Sequence, residues 1–214
     1  DFCLSRGLGD VYKRQGCKGL PCLDVDKGCY VVPDVEIDPD GIRMVMISES
    51  APADRGDYYY ADGDPLFQRT TVQAFNDAGV GVKSVRDLVE MGVYLTTAVK
   101  CGKKGYGISS ATVKECSNIL LEELALFPNV RAIMLMGDVA IKALNHVSSR
   151  DLGKRTIPAG STYKIREEEY FYGKKRVFPS YLQAGPAFFI EKSKRRMIAE
   201  DIGNAMKMLD RFLK

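Results

Sequence analysis

Histidine is almost absent from this chain, charge of one sign hardly exceeds the other, and no long apolar run interrupts it. A single histidine in 214 residues excludes His-rich zinc sites and leaves one candidate for an imidazole base. That residue, His146, falls in a predicted helix past the third strand, where a surface or packing role is expected. With 31 Lys and Arg against 28 Asp and Glu, the net charge is only +3, so affinity for nucleic acid has to come from a local patch. No stretch approaches the roughly 18 to 20 apolar residues of a membrane-spanning helix, and the N-terminus has no apolar core of signal-peptide length. A soluble, cytoplasmic protein with no membrane partner is expected. After Gly16 there is no linker rich in Pro, Gly or Ser, no low-complexity tract and no repeat, so one domain is the simplest organisation. A hydrophobic content of 45% suffices for a sizeable core.

Residues 1–15, DFCLSRGLGDVYKRQ, have neither helical nor strand periodicity. They resemble a translated adaptor junction of the kind found at the ends of metagenomic reading frames, so they are set apart, with Cys3, from a domain spanning 16–214. Within it, short apolar runs at 43–48, 93–99 and 131–136 read as buried parallel strands. Helical patterns occupy 66–78, 84–91, 113–127, 138–146 and about 187–213, with Thr112 and Glu115 as a capping box for the third. The segment 162–178 reads as a hairpin feeding a last strand. The alternation predicts a three-layer α/β/α sandwich around a central, mainly parallel four-stranded sheet, with the site at the carboxyl ends of the strands.

Four loops meet at those ends. ISESAPADRGDYYYADGDPLFQ (47–68) is long for a strand-to-helix connection and holds three consecutive tyrosines; it is functional, or else a solvated acidic loop. VKCGKKGYGISS (99–110) sets Lys100, Lys103 and Lys104 among glycines, a composition suited to phosphate or merely to a flexible connector. In LMGDVAIKAL (135–144), Gly137 permits a tight turn into a helix whose amide-rich start suits an anion, although helix-sheet packing alone also demands such a glycine. VFPSYLQAGP (177–186) presents Ser180, Tyr181 and Leu182. From 164 to 214 there are 12 Lys and Arg against 7 Asp and Glu. Basic residues around an apolar tip suit a reader that grips a nucleic-acid backbone and fills a gap in the base stack; an exposed Lys-rich helix face is the alternative.

Of the six cysteines, Cys17 and Cys22 form a C-x4-C pair, with Cys101 and Cys116 as distant partners. Four thiolates from two parts of a chain suit tetrahedral zinc or an iron-sulfur cluster. Two long-range disulfides would need an oxidising compartment, and Cys101 and Cys116 taken singly also suit small buried hydrophobes. Cys29 is left without a metal role.

In their order, SESAPAD (48–54), PLF (65–67), LTTAVKC (95–101), KEC (114–116), LMGDVA (135–140) and FPS (178–180) resemble the motifs of the family 4 uracil-DNA glycosylases, the iron-sulfur members of the uracil-DNA glycosylase superfamily. The resemblance runs from about Cys17 to the C-terminus. It implies a 4Fe-4S cluster on Cys17, Cys22, Cys101 and Cys116, with zinc as the alternative, in a structural role. It also implies that Phe67 stacks on an extruded base, that Ser180 and the loop behind it grip the strand, and that DNA, single- or double-stranded, is the partner of a monomer.

Three positions depart from the family pattern. Aligned on Ala51 and Pro52, the acidic residue of GEAPG is Ser50, with Glu49 one residue earlier; the Asn of TNVVKC is Thr97; the His of HPS is Phe178. Glycosidic hydrolysis needs an oriented water and stabilisation of an oxocarbenium-like sugar. Glu49 supplies the carboxylate if the loop is bulged by one residue, and Asp54 is next by position. A Thr hydroxyl reads fewer groups than an Asn amide, so uracil discrimination should weaken. The expected function is DNA binding with a flipped base and hydrolysis of a deaminated or damaged nucleotide. A non-catalytic nucleic-acid or nucleotide-binding module on the same fold is the alternative, and a cluster-bearing redox protein a third that lacks a second cofactor motif.

Overall fold

A computed structural model describes residues 22–31, 33, 35–105 and 107–211. Residues 1–15, set apart above, lie outside the described residues, as does Cys17.

Among the described residues the sheet has six strands, in the order β1-β3-β2-β4-β6-β5. These are β1 (Val25–Asp26), β2 (Met44–Ala51), β3 (Val93–Lys103), β4 (Ala132–Met136), β5 (Tyr170–Tyr172) and β6 (Lys175–Ser180). The four central strands are parallel, whereas β1 and β5 pair antiparallel at the two edges. The expected four-stranded sheet is thus the middle of a wider, mixed one. The edge strands are two and three residues long, too short to show a periodicity.

The central strands alternate between two apolar faces. Met44, Met46 and Met134 join one core cluster, while Val45, Ile47, Ile133 and Leu135 join another. A strand buried on both sides shows an unbroken apolar run, which is why the sequence announces these strands so clearly. The methionine face is covered by α1 (Leu66–Asp77), α2 (Val85–Glu90) and α7 (Lys192–Asp210). The other face is covered by α3 (Ser110–Ala125) and α4 (Asp138–Asp151). Helices on both faces make the three-layer α/β/α arrangement.

Two helix boundaries differ from expectation for local reasons. Helix α3 begins three residues earlier than its apolar stripe, because Ser109, not Thr112, is the N-cap and accepts the Thr112 N–H at 3.2 Å. The Thr112 hydroxyl instead donates to Asp24 at 2.5 Å, and the Ser109 N–H donates to the same carboxylate at 2.6 Å. The expected closing helix is broken into α6 (Ala187–Ile190) and α7 at Glu191, whose ψ of 73° is not helical. Residues 162–165 form a short helix, α5 (Thr162–Ile165), and only β5 and β6 make the hairpin.

Candidate functional site

The chain leaves β2 toward α1 on the methionine face, but leaves the neighbouring strand β4 toward α4 on the opposite face. Between two such strands the connections part and open a crevice at their carboxyl ends. Glu49 stands there, half-buried, with Oε1 3.4 Å from the Val139 N–H of the first turn of α4. The amide-rich helix start read above as an anion site therefore faces the protein's own carboxylate. Gly137 makes this possible. Its φ is +102°, and a Cβ there would lie 2.6 Å from Glu49 Oε1. Its N–H donates to the Ser180 carbonyl at 3.0 Å, tying the ends of β4 and β6 together.

The methionine face of the same sheet end carries a buried polar network. The Ser48 hydroxyl bonds the Tyr59 hydroxyl and reaches Gln183 Oε1 at 3.1 Å; Gln183 Nε2 donates to Tyr59 at 3.2 Å and to Thr71 at 3.4 Å. Burial raises the Tyr59 phenol well above its ordinary range, despite its bonds to Ser48, Gln183 and Thr71, so it works as a hydroxyl and not as a phenolate. The half-buried Phe67 packs its ring on Tyr59 at 5.3 Å between centroids. Thr97, in register with Ser48 on the next strand, is 1% exposed, and its Oγ1 has no hydrogen-bond partner among the described residues. Among the described residues it is the one buried side-chain oxygen or nitrogen left without a hydrogen-bond partner.

Sequence reasoning missed Ser48, Tyr59 and Gln183. The tyrosines were visible, but as loop residues; nothing local marks Gln183, whose partners lie more than a hundred residues away. The exposed apolar tip was also misplaced. Tyr181 and Leu182 are half-buried against the core, with Lys194 5.6 Å above the Tyr181 ring. Ile190, 77% exposed, and Phe189, 43% exposed, form the tip, beside Lys192 and Lys194.

Several expected site residues are engaged elsewhere. Ser50 is buried and, by strand alternation, faces away from Glu49. The register shift falls after it, between Ser50 and Ala51, where β3 carries two extra residues, so Glu49 gains its position without an insertion in β2. Asp54 caps a single 3-10 turn, accepting the Gly56 N–H at 2.8 Å, and is a turn residue. Lys100 is fully buried, with Nζ 2.6 Å from Glu123 and 2.7 Å from the Thr96 hydroxyl, so it offers no surface to a phosphate. Lys103 and Lys104 are exposed. Ser180 is likewise buried and donates to Asp201 at 2.5 Å rather than meeting DNA. Phe178 lies within β6, not at its end, and the Arg176 guanidinium sits 4.9 Å from its ring. It lines a groove along α7 and not the crevice of Glu49. His146 lies roughly 12 Å along α4 from its start, and burial, then Lys114, Arg150 and Arg155, lower its pKa.

Cys101 lies near the carboxyl end of β3, the same end of the sheet as the crevice. Val25 and Asp26 pair with Lys103 and Gly102, and Asp24 clasps the start of α3, which brings the chain after Cys22 beside Cys101 and Cys116. Cys101 and Cys116 are in one apolar cluster, and Cys22 packs against it. Soft thiol donors in a desolvated setting fit iron-sulfur or zinc chemistry. Among the described residues no group of three His, Cys, Asp or Glu side chains is assembled to hold a metal ion, so any such set requires Cys17. Cys29 instead approaches the loop after β2, its Sγ 3.0 Å from the Ala53 carbonyl.

Among the described residues no helix is long and apolar enough to cross a membrane. A search of curated proteins finds no match. A family model described as the Uracil DNA glycosylase superfamily matches residues 36–198, a span that holds the crevice, the buried network and the whole parallel sheet; the chain belongs to that superfamily.

Proposed function

We propose that the protein is a DNA glycosylase that hydrolyses the N-glycosidic bond of a deaminated or damaged base. The observation that carries this reading is Glu49 at the crevice between β2 and β4, fixed against Gly137 and the start of α4. In this reading the Glu49 carboxylate orients a water on the sugar. The water oxygen bonds C1′ as the C1′–N bond breaks, its electron pair leaves with the base, and the water proton passes through Glu49. The same carboxylate stabilises the oxocarbenium-like sugar. Phe67 supplies a flat face for the extruded base, and the unpartnered Thr97 hydroxyl a hydrogen bond to its edge. Ile190, Phe189, Lys103 and Lys104 face the duplex.

A 4Fe-4S cluster on Cys17, Cys22, Cys101 and Cys116, as in family 4, staples the N-terminal segment to the domain; zinc is the alternative. When bound, the group supplies cross-linking and no step of hydrolysis. Support comes from the common apolar cluster that Cys22, Cys101 and Cys116 share. Anaerobically purified protein should be brown with a broad visible absorption band, whereas a colourless preparation containing stoichiometric zinc would favour the alternative.

A non-catalytic DNA-binding module on the same fold is favoured by one observation: Phe178 stands in the place of the family imidazole, facing the α7 groove. Oligonucleotides carrying uracil, hypoxanthine, xanthine or an alkylated base decide between the two. Abasic product from any of them supports the glycosylase; salt-dependent binding with no product from all of them supports the module.

A further inference from the structure

Along α7, a groove of about 1080 Å³ separates the helix from the β5–β6 hairpin. Nothing in the hydrolytic reading uses it. We propose that it is a second nucleic-acid contact, taking a single-stranded stretch whose phosphates meet Lys174 and Lys207 while a base stacks on Phe171.

Seven Lys and Arg side chains line the groove against five carboxylates, Asp77, Glu167, Glu169, Glu200 and Asp201. Asp201 is held by Arg166 at 2.8 Å, Glu200 by Arg166 at 2.9 Å, Glu169 by Arg176 at 3.6 Å and Asp77 by Arg195 at 2.8 Å. Lys174 and Lys207 line the same groove with no carboxylate among the described residues at ion-pair distance. The lining thus keeps an excess of two positive charges, seven against five, and the Lys174 and Lys207 ammonium groups stand outside its ion pairs, available to a polyanion. Phe171 is 53% exposed on the edge strand. Arg176 lies between the Phe171 and Phe178 rings, 5.5 and 4.9 Å from their centroids, and donates to the carbonyls of Glu168, Tyr170 and Val177. A ring backed by a fixed guanidinium is a rigid stacking platform, and stacking accepts any base.

The groove has the length and position a strand needs. From Arg196 to Lys207 the helix rises roughly 16 Å, long enough to run beside a few nucleotides of a strand. Asp201, on its wall, receives the Ser180 hydroxyl, and the Ser180 carbonyl holds Gly137 at the crevice. In this proposal a strand leaving the crevice enters the groove at Asp201 and runs on toward Lys174, which lies just before the amino end of β6. Only this delivery rests on the glycosylase reading; the groove's own affinity does not, and it is measured with undamaged single strands.

The full chain is titrated against a fluorescent single-stranded oligonucleotide of ordinary bases across a range of salt. Lys174→Glu with Lys207→Glu should weaken binding about tenfold or more and flatten the log-log salt slope by about 1.4, two contacts at roughly 0.7 each. Phe171→Ser should weaken it about fivefold or more with little change in slope. The milder pair Lys174→Gln and Lys207→Gln should give the same sign, and unchanged melting temperatures show that the variants fold. No binding by the unaltered chain, or variants keeping its affinity and slope, would overturn the proposal. So would a free mononucleotide binding as tightly as the oligonucleotide, which would make the groove a nucleotide site. Failure of base release with these losses intact would sink the glycosylase reading alone.

Discussion

The segments that follow β2 (52–65) and β6 (181–190) are made of similar material, each with proline, glycine and consecutive aromatics, yet they end differently. In the first, Tyr58 and Tyr59 are 3% and 0% exposed. In the second, the chain reaches Phe189 and Ile190 and leaves them in solvent. The difference is what each meets. The Tyr60 hydroxyl accepts the Leu95 N–H at 2.9 Å and donates to its carbonyl at 3.0 Å, closing a stretch of β3 edge that β1 is too short to cover. Tyr59 finds Ser48 and Gln183. No comparable polar anchor holds Ile190, which ends a four-residue helix. A tyrosine with a partner for its hydroxyl is drawn into the core; an aliphatic side chain on a short helix stays available to a ligand.

That contrast breaks first at the buried end. Tyr59→Ala should cost about 3–5 kcal/mol in a denaturant titration, and Lys100→Ala, which strands Glu123 inside the protein, a similar amount. Alanine at Lys103 or Lys104 should stay within about 0.5 kcal/mol of the parent. If Lys100→Ala were as mild as Lys103→Ala, the separation of buried from exposed lysines would be wrong. Tyr59→Phe sharpens the same point with less damage, about 1–3 kcal/mol, because it leaves Ser48 and Gln183 short of a partner without opening a cavity. At the exposed end, Ile190→Ser and Phe189→Ser should leave stability within about 0.5 kcal/mol and weaken duplex binding severalfold, measured by anisotropy. A large stability loss at Ile190 would show that the tip is structural.

A smaller effect than those at the buried end belongs to the N-terminal clasp. Desolvation raises the Asp24 pKa, but bonds from Thr112 and Ser109 outweigh it and hold the carboxyl below its ordinary 3.8. Its contribution is therefore present above about 3.8 and disappears as pH falls through the depressed value. Asp24→Asn should remove a few degrees of melting temperature near neutrality and make the acid-side decline shallower; identical pH profiles for the two proteins would remove the clasp from the account.

The four parallel strands were legible because burial on both faces writes a continuous apolar run, and the strand ends located the crevice from topology alone. Glu49 was legible as a carboxylate near the end of β2. Its contact with the start of α4 was not, since it depends on two strands that are adjacent in space and ninety residues apart in sequence. Lys100 and Ser180 were misread for the same reason: a charge or hydroxyl at a strand end looks exposed until Glu123 or Asp201, contributed by a helix far along the chain, is seen to cover it. Short edge strands and the break at Glu191 carry too few residues to show a period.

The central claim is that Glu49 acts on the reacting water, and the rate of base release by Glu49→Gln against the unaltered chain, on the substrate it cleaves best, tests it most directly. A fall of about 10²-fold or more, with melting temperature and DNA affinity kept, is the predicted result. Release at the full rate by Glu49→Gln would contradict it.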